Sequence, residues 1–193
     1  FEYFTDQYST MSNAAVTVIK NRAGELLRLL EDNKALNDKL TAMNFAPIEF
    51  GSFQSSENVK LDYWKIVPPD FDANKKYPTL LYCQGGPQSP LTQFYSFRWN
   101  MQLMAAQGYI VIAPNRRGMP GHGTKWNEQI SKDWGGQVMR DYLSAIDDVA
   151  KENYVDKARL GCVGASYGGY SAFYLAGIHN NRFKTFIAHD GVF

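Results

Sequence analysis

Ser166 stands in the stretch Gly164-Ala165-Ser166-Tyr167-Gly168, which fits the pattern G-x-S-x-G. A serine hydroxyl is a weak nucleophile until a base takes its proton, and it must be held out where a carbonyl carbon can reach it. The glycine spacing serves that second need. The serine sits at the tip of a tight strand-to-helix turn with strained backbone angles. Side chains two positions before and after it would collide with the adjoining strand and helix, so Gly164 and Gly168 occupy those places. The context agrees, with an apolar run at Leu160–Val163 before the turn and a helical pattern at Gly169–Ala176 after it. The implied chemistry is acyl transfer through a covalent intermediate on Ser166. The Tyr167 N–H, at the start of the helix, points where an oxyanion would form. A second donor belongs on the loop after a neighbouring strand. The stretch Tyr82–Pro90, YCQGGPQSP, follows the apolar run Leu80–Cys83, and Gly85-Gly86 lets its backbone approach a substrate closely. Gln84 or Gly85 is therefore the candidate donor, the alternative being a plain Gly-Pro turn.

The nucleophile also needs an imidazole and an acid, and the chain has 3 histidines. His122 lies in a glycine-rich loop ahead of the nucleophile, and His179 falls at the far end of the helix behind it. His189 closes the last apolar run and is followed by Asp190. Successive residues of an extended segment point to opposite faces, so an adjacent acid is badly placed to orient that ring. Enzymes with this turn carry their acid and then their histidine after later strands. His189 comes one strand early in that order. The expectation is that the working acid and base lie beyond Phe193 and that the chain ends before them.

The elements that must position Ser166 can be read from periodicity. Continuous apolar runs at Leu80–Cys83, Tyr109–Ala113, Leu160–Val163 and Thr185–Ala188 read as buried parallel strands. Between them, Val138, Tyr142, Ala145, Ile146 and Val149 line one helical face. Phe97, Met101, Met104 and Ala105 do the same on a helix closed by Gly108. Such alternation predicts an α/β fold, a mostly parallel sheet covered by helices. Ahead of it, the stretches Ile48–Phe53 and Val59–Val67 alternate like half-buried antiparallel strands. The first part differs: β-like runs at Phe1–Phe4, Ala15–Ile19 and Glu25–Leu30, with a hairpin connection at Asn21–Glu25, predict a three-stranded meander that is marginal without neighbours. A short helix or linker follows at Asn33–Met43. The expected division is residues 1–43 and 44–193.

Composition narrows the class. The chain has 193 residues, 45% hydrophobic and 20% charged, with net charge +1. That balance gives no footing for a nucleic-acid or membrane-surface partner. No apolar run reaches the roughly 18 residues of a membrane span. No Cys/His ligand spacing calls for a metal, and no organic cofactor is expected. Cys83 and Cys162 each end an apolar strand and read as packed free thiols, a disulfide between neighbouring strands being the alternative.

Four stretches, YPTLLYCQGGP, GYIVIAPNRRGMPGHG, the segment from Asp133 to Ala176, and HDGVF, resemble in that order the prolyl oligopeptidase family of serine peptidases, in its dipeptidyl-peptidase-IV-like and acylaminoacyl-peptidase-like branch. The resemblance runs from about Phe45 to Phe193. It implies the first part of an α/β-hydrolase catalytic domain, with residues 1–43 as the last strands of a β-propeller and the linker. It implies peptide substrates, Ser166 as nucleophile, Tyr167 as one oxyanion donor, and Phe193 near the aromatic wall of the substrate pocket. Gln84 departs from the pattern, standing where many members carry Tyr or His. The resemblance further implies a homo-oligomer in the full-length protein, and a bacterial periplasm as compartment with the cytoplasm as alternative. The chain alone is expected to be inactive and to self-associate through an uncovered edge strand at Thr185–Ala188. Two other readings share the turn: a carboxylesterase-type hydrolase, and a non-catalytic binding module on the same fold.

Overall fold

The computed structural model describes residues 1–192. Strands β1 (Tyr3–Thr10), β2 (Asn13–Asn21) and β3 (Leu26–Glu31) make an antiparallel sheet in that order. The predicted hairpin connection forms: Gly24 takes φ 85, and Asn21 Oδ1 accepts from the N–H groups of Ala23 and Glu25. The first strand runs further than its apolar start suggests, because pairs such as Thr5 with Ile19 and Gln7 with Thr17 draw polar residues into the ladder. The β1–β2 tip is anchored in the rest of the molecule. Met11 is buried in an apolar cluster with Tyr82, Leu91 and Met101. Ser12 Oγ accepts from Gln102 Nε2 at 2.8 Å, and Ser9 Oγ accepts from the Tyr95 N–H at 3.1 Å. At the other side, Leu26, Leu27, Leu29 and Leu30 of β3 stand exposed.

After α1 (Lys34–Ala42) come β4 (Glu49–Gln54), β5 (Lys60–Ile66), β6 (Tyr77–Cys83), α2 (Met101–Ala106), β7 (Ile110–Asn115) and α3 (Thr124–Glu128). The order closes with α4 (Gln137–Val149), β8 (Val155–Ala165), α5 (Tyr167–Ile178) and β9 (Thr185–His189). The six strands lie in the order β4-β5-β7-β6-β8-β9. The first two pairings are antiparallel and the remaining three parallel. The chain thus crosses over between β6, β7 and β8, and helices must cover both faces of a sheet wound this way. Alternation sorts the side chains. Leu81 and Cys83 join α4 and α5 in one core, through Val138, Tyr142, Ile146, Ala172 and Leu175. Tyr82 faces the other side, with Met101 and Ala105 of α2 and Met11 of the hairpin. All five predicted positions of the α4 stripe are buried.

One helix is shorter than its pattern. α2 begins at Met101, because Asn100 caps it by accepting from the Leu103 N–H at 3.1 Å. Phe97 therefore lies outside the helix and is 88% exposed. The cysteines follow the expectation of packed free thiols, buried on the neighbouring strands β6 and β8 with Sγ atoms 3.6 Å apart. Burial, and then the neighbouring thiol, push Cys83 well above its ordinary value.

Behind the sheet, Arg117 is gripped by Asp141 of α4. Nη2 donates to Oδ1 at 2.6 Å, Nε donates to Oδ2 at 2.9 Å, and Oδ2 also accepts the Arg117 N–H at 3.0 Å. Burial pushes the Asp141 carboxyl up and the Arg117 fork opposes that push. Glu57 joins from outside, accepting from Arg117 and from Arg140. These two arginines hold Glu57 below the ordinary value of 4.5. A depressed carboxylate stabilises the fold above its unfolded value, and that contribution is lost as pH falls through its folded value. Wild-type protein is therefore expected to lose about 0.2–1 kcal/mol more than Glu57→Gln as pH drops below that range, the figure being small because Glu57 is partly exposed. Chemical denaturation of both proteins across an acid pH series measures the difference, and parallel curves would contradict it.

Candidate active site

Strand β8 ends at Ala165 and helix α5 begins at Tyr167, so the whole reversal is made at Ser166. Its backbone sits at φ 58, ψ −122, a conformation L-residues rarely hold. The turn is pinned from both sides. The Ser166 N–H donates to the His189 carbonyl at 2.9 Å, and the Ser166 carbonyl accepts from the Tyr170 N–H at 3.0 Å. The two glycines are required by contact: a Cβ on Gly168 would strike the Cys83 carbonyl oxygen, and one on Gly164 would strike the Gly168 carbonyl oxygen. The end of β6 thus passes directly against the elbow. Gly85 continues that approach, its Cβ position lying 3.0 Å from the Ala165 carbonyl oxygen and 3.6 Å from Ser166 Cβ. Gln84, Gly85, Ser166 and Tyr167 are brought to one place by these backbone contacts. Tyr167 opens α5, so its N–H has no acceptor within the helix. Its ring is buried, with the hydroxyl donating to the Trp134 carbonyl at 2.7 Å.

A cavity of about 470 Å³ opens over the turn, lined among others by Ser166, Gln84, Gly85, Arg98, Trp99 and His189. Tyr82 lines it too, and burial pushes its phenol up to about 12, so the group stays neutral near pH 7. Ser166 is exposed to this space. The segment carrying Phe94, Ser96, Arg98 and Trp99, between β6 and α2, had no chemical signal in the sequence. Its residues fit no motif, and only the fold carries them over the serine.

The histidines separate as follows. His122 packs on Trp126, ring centroids 4.7 Å apart. His179 accepts the Phe183 N–H at Nδ1. His189 lines the cavity, and here one expectation is corrected. Asp190 leaves the extended conformation, at φ 45, and its Oδ2 comes 3.2 Å from His189 Nδ1. Adjacent residues can meet because the strand ends between them. The imidazole packs edge-on against Trp99 at 5.8 Å, and no hydrogen bond joins it to the Ser166 hydroxyl. Phe193 lies outside the described residues.

A doubly covered, mostly parallel sheet with a serine at a strand–helix elbow defines the α/β-hydrolase class. Within it, the model of the Prolyl oligopeptidase family matches residues 95–193, and the chain belongs to that family. Dipeptidyl-peptidase 5 of Porphyromonas gingivalis is 55% identical over 175 residues, covering 91% of this chain and 25% of that protein. A probable dipeptidyl-peptidase 5 of Aspergillus terreus is 39% identical over 150 residues, 76% of this chain and 21% of that protein. Among solved structures, dipeptidyl peptidase 4 of P. gingivalis superposes with TM-score 0.89 at 32% identity, over 99% of this chain and 27% of that one. Acylaminoacyl peptidase of Pyrococcus horikoshii gives TM-score 0.84 at 25% identity, over 99% of this chain and 30% of that one. The chain therefore spans about a quarter of the length of these relatives.

Proposed function

We propose that the chain is part of a serine peptidase that removes dipeptides from short peptides through an acyl-enzyme on Ser166. The strained, exposed position of Ser166 at the elbow is the observation that carries this reading. The names of the relatives supply the substrate class. In the proposed reaction the Ser166 oxygen attacks the scissile carbonyl, and the Tyr167 N–H stabilises the oxyanion together with a donor from Gln84 or Gly85. In this reading the general base and its acid belong to the longer protein of which the chain is part, since it covers only 25% of the length of its P. gingivalis relative. Residues 44–193 form the first part of the catalytic domain, and residues 1–43 the closing strands of a propeller and its linker. The exposed leucines on both sides of the edge strand β3 support that division, since such a strand is built to have neighbours.

A fluorophosphonate probe and a series of dipeptidyl fluorogenic substrates test the reading. Full-length protein should form an adduct on the peptide bearing Ser166 and release the reporter from the dipeptide. The 193-residue chain should show no Ser166-dependent turnover. An adduct on another residue, or rapid cleavage of a short acyl ester with no peptide cleavage, would overturn the peptidase assignment. Turnover by the short chain would point instead to His189 as base.

A further inference from the structure

Arg116 is fully buried and has no carboxylate partner among the described residues. Its neighbour Arg117 takes both Asp141 and Glu57. Burying a guanidinium without a counter-ion costs several kcal/mol unless hydrogen bonds and π faces replace its water. Here they do. Nη2 donates to the Pro87 carbonyl at 2.8 Å, Nη1 to the Arg117 carbonyl at 3.2 Å, and Nε to the Tyr142 hydroxyl at 3.2 Å. The guanidinium carbon lies 4.9 Å from the centroid of the Tyr167 ring and 5.7 Å from that of Tyr142. Burial pushes both phenols up against the pull of the Arg116 charge, so both rings stay neutral partners.

The position of these partners gives the costly group a purpose. Pro87 closes the loop that carries Gln84 and Gly85, and Tyr167 supplies the elbow N–H. These are the two halves of the proposed oxyanion site, and they come from different strands, β6 and β8. The Arg116 side chain touches both halves. We infer that Arg116 is a positioning residue that sets the separation of the two oxyanion donors by binding the Pro87 carbonyl and the Tyr167 ring at once. The inference rests on the peptidase reading and names a part of its machinery. Lysine keeps the charge but has no planar fork, so it cannot reach the Pro87 and Tyr142 oxygens while lying along the Tyr167 ring.

The test compares full-length wild-type protein with Arg116→Lys and Arg116→Met. Fluorophosphonate titration first counts active sites, so that a poorly folded fraction lowers the count and not the rate per site. Misplaced oxyanion donors should lower kcat per titrated site by about 10²-fold in either variant. KM should stay within about threefold, because the lost interaction acts in the transition state. Hydrogen exchange gives a readout independent of activity: amides of residues 84–89 should exchange about tenfold faster in the variants, with β6 and β8 unchanged. Arg116→Lys is the milder change and keeps the test open if Arg116→Met folds poorly. A kcat per site within about twofold of wild type, or unchanged exchange at residues 84–89, would overturn the inference. Wild-type protein that takes no label at Ser166 would overturn the peptidase reading, and exchange at residues 84–89 would still decide whether Arg116 holds the loop.

Discussion

Replacing Ser166 by alanine is expected to reduce dipeptide release by full-length protein on the order of 10⁶-fold in kcat. The size follows from what the residue does. Without its oxygen no acyl-enzyme forms, and the remaining oxyanion donors can act only on the attack of water. The fold should hardly notice the change. Ser166 is exposed and its side chain caps nothing, so the unfolding free energy should move by no more than about 0.5 kcal/mol. Alanine tolerates the strained backbone no worse than serine does, since both carry a Cβ. Steady-state rates with denaturant melts on the same preparations check both halves. Activity within tenfold of wild type would remove Ser166 from the mechanism.

The second large effect is on stability. Asp141→Ala leaves the Arg117 guanidinium, 5% exposed, without the carboxylate that accepts three of its hydrogen bonds and its N–H. Removing one partner of a buried pair typically costs about 3–5 kcal/mol, and the Glu57 carboxylate that remains on Nη1 puts the expected loss at the lower end of that range. The loss is large beside the roughly 5–15 kcal/mol that holds a domain together. Arg117→Met combined with Asp141→Leu should cost far less than the two single changes summed, because no charge is then left stranded. Urea denaturation of Asp141→Ala, of Arg117→Met and Asp141→Leu singly, and of their combination measures this. A cost below about 1 kcal/mol for Asp141→Ala would mean that water reaches Arg117 and solvates it.

Much of this architecture was legible because buried elements write their period into the chain. The α4 stripe and the apolar runs of β6 to β9 are set by which face meets the sheet, and that is a local pattern. The elbow was legible because two glycines are forced by backbone contact with Cys83 and Gly168. What stayed hidden depends on capping or on distant partners. Asn100 starts α2 one turn later than the apolar spacing allows, and Phe97 is left in solvent. Asp190 reaches its histidine through a single positive φ. Arg116 and Arg117 are adjacent in the chain, and only the packing of α4 and α5 shows which of the two has the carboxylates and which has the rings.

The docking of the β1–β2 tip has a mechanical consequence. The segment carrying Phe94, Ser96, Arg98 and Trp99 walls the cavity, and it is stitched to the small sheet through Tyr95 with Ser9, and the helix α2 that follows it through Gln102 with Ser12. Met11 fills the space beneath it. The place of this wall above Ser166 is therefore tied to the place of the small sheet, so the first 43 residues help to shape the mouth of a cavity whose nucleophile lies on the large sheet.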